Sequence, residues 1–179
     1  MNISVFKKNI CEITADIIVN AANETLLGGG GVDGAIHRAS GEMLLETCKK
    51  FPIKNLKNST VVDVGRCDVG EVIVTKSFNI DSCKYIYHTV APILTTISYN
   101  NYQCNDEHLK LCYENCLKMA RTMKQKSIVF CCLGTGFYGF PKDKAAKIAV
   151  EVARKYPTIK VIFSVIEDQD FDYYSKELN

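Results

Sequence analysis

Short β-branched runs alternate along this chain with stretches of helical periodicity. Ile3 to Lys7 alternates and predicts a strand, and the apolar run Asp16 to Asn20 predicts a buried one. Val32 to Lys50 predicts a helical segment broken near Ser40-Gly41. Glu71 to Ser77 and Tyr85 to Val90 predict two further strands. Glu107 to Lys124 predicts a helix, with Leu111, Cys112, Leu117 and Met119 on its buried side. Ser127 to Leu133 reads as a central strand, and Lys142 to Lys155 as a helix with Pro141 at its start. Ile159 to Val165 closes the strands, and Asp168 to Leu178 predicts a terminal helix. The polar stretch Thr95 to Asp106 predicts an exposed loop. This alternation specifies a three-layer α/β/α sandwich around a central, mostly parallel sheet.

Length then fixes the number of units. The 179 residues suit a single domain, taken as 1–179, with a core large enough to need no disulfide or metal staple. With 22 Lys and Arg against 20 Asp and Glu, the formal charge is +2, which excludes a nucleic-acid binder driven by bulk charge. No apolar run is long enough to span a bilayer, and the start MNISVFKK does not read as a secretory signal. Nine cysteines, an odd number with no C-x-x-C pair, read as reduced and mostly buried thiols, and so as an intracellular, cytoplasmic protein. His108, Cys112 and Cys116 fall at i, i+4 and i+8 and could share a helix face, but a zinc site would need a fourth ligand and none is near in sequence.

The chemistry concentrates in the glycines. Nine of the eleven fall in two clusters, Gly28 to Gly34 with Gly41 beyond, and Gly134 to Gly139. Each cluster follows a predicted strand and precedes a predicted helix. Glycine lets backbone N–H groups approach a ligand, and the helix that follows adds its positive end, so each loop suits a phosphate. Two such loops at the carboxyl ends of parallel strands can border one crevice and hold a pyrophosphate. A formal G-x-G-x-x-G exists at Gly29, Gly31 and Gly34, but the preceding strand ends too early and no acidic residue stands about 20 residues on, so a Rossmann site is rejected. There is no Gly-Lys dipeptide, which excludes a Walker A loop. Asn20-Ala21-Ala22-Asn23 follows the DIIV strand directly. Asn20 reads as a residue satisfying its own loop, and Asn23 as the amide placed for a ligand such as a ribose diol.

The run Asn20 to Gly41, NAANETLLGGGGVDGAIHRASG, resembles the signature of the macrodomain family and of its MacroD-like branch. CDVGEVIVT from Cys67, YIYHTVAP from Tyr85, LGTGFYGFP from Leu133 and the segment from Val161 to Leu178 extend the resemblance over most of the chain. It implies a central mixed, mostly parallel sheet sandwiched by helices, a cleft for ADP-ribose and removal of mono-ADP-ribose from acidic side chains of modified proteins. It also implies deacetylation of O-acetyl-ADP-ribose, with neither metal nor cofactor, by a monomer. Residue by residue, Asn23 would orient the distal ribose and Asp33 would position or activate the attacking water. Ala22, Gly30, Gly31 and Val32 would line the phosphate and distal-ribose contacts. Gly134, Thr135, Gly136 and Phe137 would wrap the pyrophosphate from the other side, and Tyr138 would pack on the distal ribose. Asn9, Ile10 and Ile166 would meet the adenine.

Three positions depart from the family pattern. Asn9 stands where an Asp usually accepts from the adenine amino group, Gly134 where a Ser is usual, and Ile166 where many members stack an aromatic. His37 is expected to pack or cap, His88 to be a hydrogen-bonded core residue, and Cys131 and Cys132 to pack at a strand end. The alternative function is a module that reads ADP-ribose without cleaving it. A poly(ADP-ribose) or RNA surface is a weaker third reading, since the near-neutral charge disfavours tight RNA binding.

Overall fold

The computed structural model describes residues 2–56, 64–98, 101–103 and 105–179. Six strands form the main sheet: β1 (Ile3–Lys7), β2 (Ile17–Ala22), β5 (Val72–Lys76), β6 (Tyr85–Val90), β9 (Ser127–Phe130) and β10 (Lys160–Val165). Two small pairs lie outside it, β3 (Asn55–Leu56) with β4 (Val64–Gly65), and β7 (Thr95–Ser98) with β8 (Asn101–Gln103). The helices are α1 (Gly31–Ser40), α2 (Glu42–Lys49), α3 (Asp106–Thr122), α4 (Lys142–Ala153) and α5 (Asp168–Leu178). The sheet order is β1-β10-β9-β2-β6-β5, parallel throughout except for the antiparallel edge strand β5. This is the three-layer α/β/α sandwich anticipated from the alternation, with the mixed sheet that the resemblance implies.

β2 sits at the centre because its residues are apolar on both sides. Ile17, Ile18 and Val19 are fully buried, each worth about 1.5–3 kcal/mol of transfer free energy. Asp16 anchors the entry to this strand. Its carboxylate accepts from the N–H groups of Lys126 and Ser127 at 2.9 and 3.0 Å and from Lys84 Nζ at 2.7 Å. Partial burial alone would raise this carboxyl, but those donors outweigh it and hold it below the usual range. The bond network ties the starts of β2, β6 and β9 together, so the three strands leave the same edge of the sheet at their carboxyl ends.

The helix break at Ser40-Gly41 is real. Gly41 has φ +83°, caps α1 through its N–H to the His37 carbonyl, and opens α2. On α3 the buried stripe is Leu109, Cys112, Tyr113, Cys116, Leu117 and Ala120. Leu111, expected on that side, is instead exposed, and Met119 is half-buried. The period of 3.6 residues places position 111 about 100° off the stripe that 112 and 116 define. His108 is exposed while Cys112 and Cys116 are buried, and among the described residues no group of three His, Cys, Asp or Glu is arranged to hold a metal. Cys112 Sγ lies 3.2 Å from the His108 carbonyl oxygen and 3.3 Å from that of Val90. The segment from Thr95 corrects the loop expectation, because it contains the antiparallel pair β7–β8. Its polar composition concealed a Thr-Thr-Ile-Ser run of good strand propensity. The described cysteines carry free thiols, and Cys104 lies outside the described residues. Among the described residues no helix is long and apolar enough to cross a membrane.

Candidate active site

Adjacent parallel strands β2 and β9 pair Val19 with Phe130. The chain leaves both at the same sheet edge, so the loop from Asn23 to Gly30 and the loop from Cys131 to Pro141 open side by side. Between them lies a cleft of about 910 Å³. Of the residues expected at a ligand, Ala22, Asn23, Gly30, Gly31, Val32 and Asp33 line it from the β2–α1 connection. Ile10, Gly134, Thr135, Gly136, Phe137, Tyr138 and Ile166 line it as well. Asn9 is the exception. It is exposed, and its Oδ1 accepts from the Cys11 N–H at 3.0 Å, capping the short turn Ile10–Glu12.

The first loop is braced by its own side chains. Asn23 Oδ1 accepts from the Thr25 N–H at 3.0 Å and from Thr25 Oγ1 at 2.6 Å. Asn23 Nδ2 donates to the Gly28 carbonyl at 3.0 Å. Leu26, buried at φ +61°, completes the turn with its N–H on the Asn23 carbonyl. Gly31 begins α1 at φ +56°, a left-handed conformation that a side chain would strain. Helix α1 has no side-chain cap, which leaves its first-turn N–H groups without side-chain acceptors, and Gly31, Val32 and Asp33 of that turn line the cleft.

Asp33 sits in that first turn, 4% exposed. Its Oδ1 accepts from Asn20 Nδ2 at 2.7 Å, and His37 Nε2 stands 3.5 Å from the same oxygen. Its Oδ2 has no hydrogen-bond partner among the described residues. A Cβ placed on Gly29 would lie 3.2 Å from both Asp33 Oδ2 and Asn23 Nδ2, so these two polar atoms flank one point of the loop. Burial pushes the Asp33 carboxyl up, against the Asn20 hydrogen bond and His37, which pull it down.

Two expectations change here. His37 does more than pack or cap, since its imidazole faces the Asp33 carboxylate. Asn20 lies inside β2, fully buried, and bonds Asp33 rather than its own loop. A buried amide in an apolar strand must find a partner, and that rule was the available signal. His88 is a hydrogen-bonded core residue, as anticipated. Cys131 is buried with its thiol pushed up to about 12, and burial also raises Cys132. Neither forms a ready thiolate. At the far end, Lys142, Glu167 and Asp170 also line the cleft, with Lys142 Nζ bonded to both carboxylates. The sequence reading missed them because they come from the starts of two helices that only the fold brings together. Phe137 is fully exposed and Ile166 66% exposed at the cleft.

The comparisons agree with this architecture. The Macro domain family model matches residues 19–149. A macro domain-containing protein of Xanthomonas axonopodis pv. citri, XAC3343, is 43% identical over 156 residues, covering 87% of this chain and 80% of that protein. The human ADP-ribose glycohydrolase MACROD2 is 35% identical over 183 residues, which cover 99% of this chain and 39% of that longer protein. Among solved structures, the Trypanosoma brucei macrodomain in complex with ADP superposes with a TM-score of 0.83 at 31% identity, covering 99% of this chain and 70% of that one. The Oceanobacillus iheyensis macrodomain with ADP gives 0.81 at 35% identity, covering 97% and 88%. Two glycine loops opening from neighbouring parallel strands onto one cleft define a nucleotide-site architecture. The chain belongs to the macro domain family.

Proposed function

We propose that the protein binds ADP-ribose in this cleft and hydrolyses the ester joining it to an acidic side chain of a modified protein. The observation that carries the reading is the buried Asp33 carboxylate, with one unpartnered oxygen, set in the first turn of an uncapped helix that opens onto the cleft. Helix N–H groups and the glycine loops supply donors for a diphosphate. Water adds to the ester carbonyl as Asp33 takes its proton, the acyl–oxygen bond breaks, and the proton passes to the departing ribose oxygen. A carboxylate raised by burial is the better base for this step. Binding of ester and water in one geometry supplies much of the remaining barrier reduction. The reaction as proposed draws on side chains, backbone donors and water, without a cofactor. The acetyl ester of O-acetyl-ADP-ribose presents the same bond and is proposed as a second substrate.

The direct test is incubation of a glutamate-modified target with the purified protein. Release of free ADP-ribose supports the hydrolase. Binding of ADP-ribose by calorimetry with the modified target left intact replaces it with a reader module. That second reading has its own support in the Asn23 amide, which is engaged at both ends with its loop. A further expected result concerns the adenine end. Asn9→Asp keeps the cap on the Cys11 N–H and adds a charged acceptor. ADP-ribose should bind roughly fivefold tighter, the difference between a neutral and a charge-assisted hydrogen bond. Calorimetry showing equal or weaker affinity removes Asn9 from the adenine contact.

A further inference from the structure

Behind the cleft, a chain of hydrogen bonds runs through the core from the antiparallel edge strand to Asp33. Thr75 on β5, His88 on β6 and Asn20 on β2 are all buried, and none of the three lines the cleft. Asn20 Nδ2 stands 2.7 Å from Asp33 Oδ1 and 3.1 Å from His88 Nδ1. The far ring nitrogen, His88 Nε2, stands 2.9 Å from Thr75 Oγ1. An amide nitrogen carries two hydrogens, and here each has an acceptor. His88 Nδ1 must then be unprotonated, so the ring carries its hydrogen on Nε2 and donates it to Thr75. Burial, aided by the nearby His37, lowers His88 to about 3, so the ring stays neutral at any working pH. The amide orientation follows from the same bonds. Turned the other way, Asn20 Oδ1 would face a carboxylate, two acceptors in contact.

We propose that Thr75, His88 and Asn20 form a buried positioning relay that fixes the Asp33 carboxylate for the hydrolysis. This rests on the hydrolase reading given above. The three residues touch no substrate. They act by pinning one imidazole tautomer, which pins one amide orientation, which holds Asp33 Oδ1 and leaves Oδ2 directed at the loop. One atom of the chain is unsatisfied, since Asn20 Oδ1 is buried with no hydrogen-bond partner among the described residues; such a cost is carried where it fixes an orientation.

The test uses His88→Leu, Thr75→Val and His88→Asn in the full chain. Without the His88 acceptor the Asn20 amide can turn, and Asp33 loses the donor that lowers its carboxyl. The Asp33 titration then moves up and the acid limb of the hydrolysis profile moves to higher pH. Other groups facing Asp33 remain in place: His37 from its own helix, Cys48 from α2, Cys131 after β9 and Tyr138 from the second loop. The expected result for His88→Leu is kcat reduced at least tenfold, with the Kd for ADP-ribose within twofold. Thr75→Val, an isosteric change, should shift the profile the same way by less. His88→Asn, which returns an acceptor near the Nδ1 position, should recover part of the loss. An unchanged pH profile in folded Thr75→Val and His88→Leu overturns the relay, as does a parallel loss of kcat and affinity. Titration of the Asp33 carboxyl by 13C NMR in wild type and variants gives an independent reading. It shifts up with the relay broken even if the wild type proves unable to cleave the ester, so failure of the relay and failure of the hydrolase reading are separable.

Discussion

Asp33→Ala is expected to retain ADP-ribose while its release from a glutamate-modified target falls by about 10²- to 10⁴-fold, the range a positioned general base supplies. The geometry separates the two effects. Asp33 is 4% exposed with one oxygen unpartnered among the described residues, whereas the donors proposed for the diphosphate lie on backbone that the substitution leaves in place. Removing a raised, buried carboxylate also relieves a desolvation cost. That relief is opposed by the buried Asn20 amide losing its acceptor, worth about 1–3 kcal/mol, while affinity for an anion should hold or improve. Single-turnover release and calorimetry on the same preparation check this. If affinity and release fall together, Asp33 shapes the loop and the base lies elsewhere.

Gly34→Ala is expected to cost more than any other single methyl in the loop. In most helix interiors this change gains about 1 kcal/mol. Here the sign reverses. Gly34 is buried in α1, and its added Cβ would fall well inside van der Waals contact with the Gly29 carbonyl oxygen, with Arg38 Nη1 at 3.1 Å on another side. A backbone carbonyl cannot rotate away as a side-chain tip can. Either α1 shifts or Gly29 does, and Gly29 adjoins both Asn23 Nδ2 and Asp33 Oδ2. The expected result is a loss of about 1–3 kcal/mol in denaturant unfolding, typical of overpacking, together with ADP-ribose affinity lowered more than tenfold. Gly30→Ala is the stability control, because a Cβ there meets nothing within 4 Å. Equal stability of Gly34→Ala and wild type would show that the loop yields more easily than its backbone contacts indicate.

The periodic elements were readable because their signals are local. β1 and β6 have the ends read from sequence, and so does α5. The helix break at Gly41 was marked by the glycine itself. Loop positions Asn23, Gly30 to Asp33 and Gly134 to Tyr138 were legible because a glycine cluster between strand and helix has few other uses, and the family resemblance gave each a role. What could not be read was long-range. The bond from Asn20 to Asp33 joins residues 13 apart, and that from Asn20 to His88 spans 68. The apolar run around Asn20 signals a buried amide that needs a partner, but nothing local says which partner it finds. The pair β7–β8 was missed for the opposite reason, since polar composition outweighed a short strand pattern. Lys142, Glu167 and Asp170 came to the cleft only through the neighbouring positions of α4 and α5.

The side-by-side exit of β2 and β9 governs how the domain assembles. Val19 and Phe130 are register partners although more than a hundred residues separate them, so the two halves of the cleft share no wall until that distant pairing closes. Closure of so large a loop costs entropy before any contact repays it. Occupancy of the cleft by a nucleotide therefore draws on the folding of the whole chain, and ligand binding there raises the stability of every strand in the sheet at once.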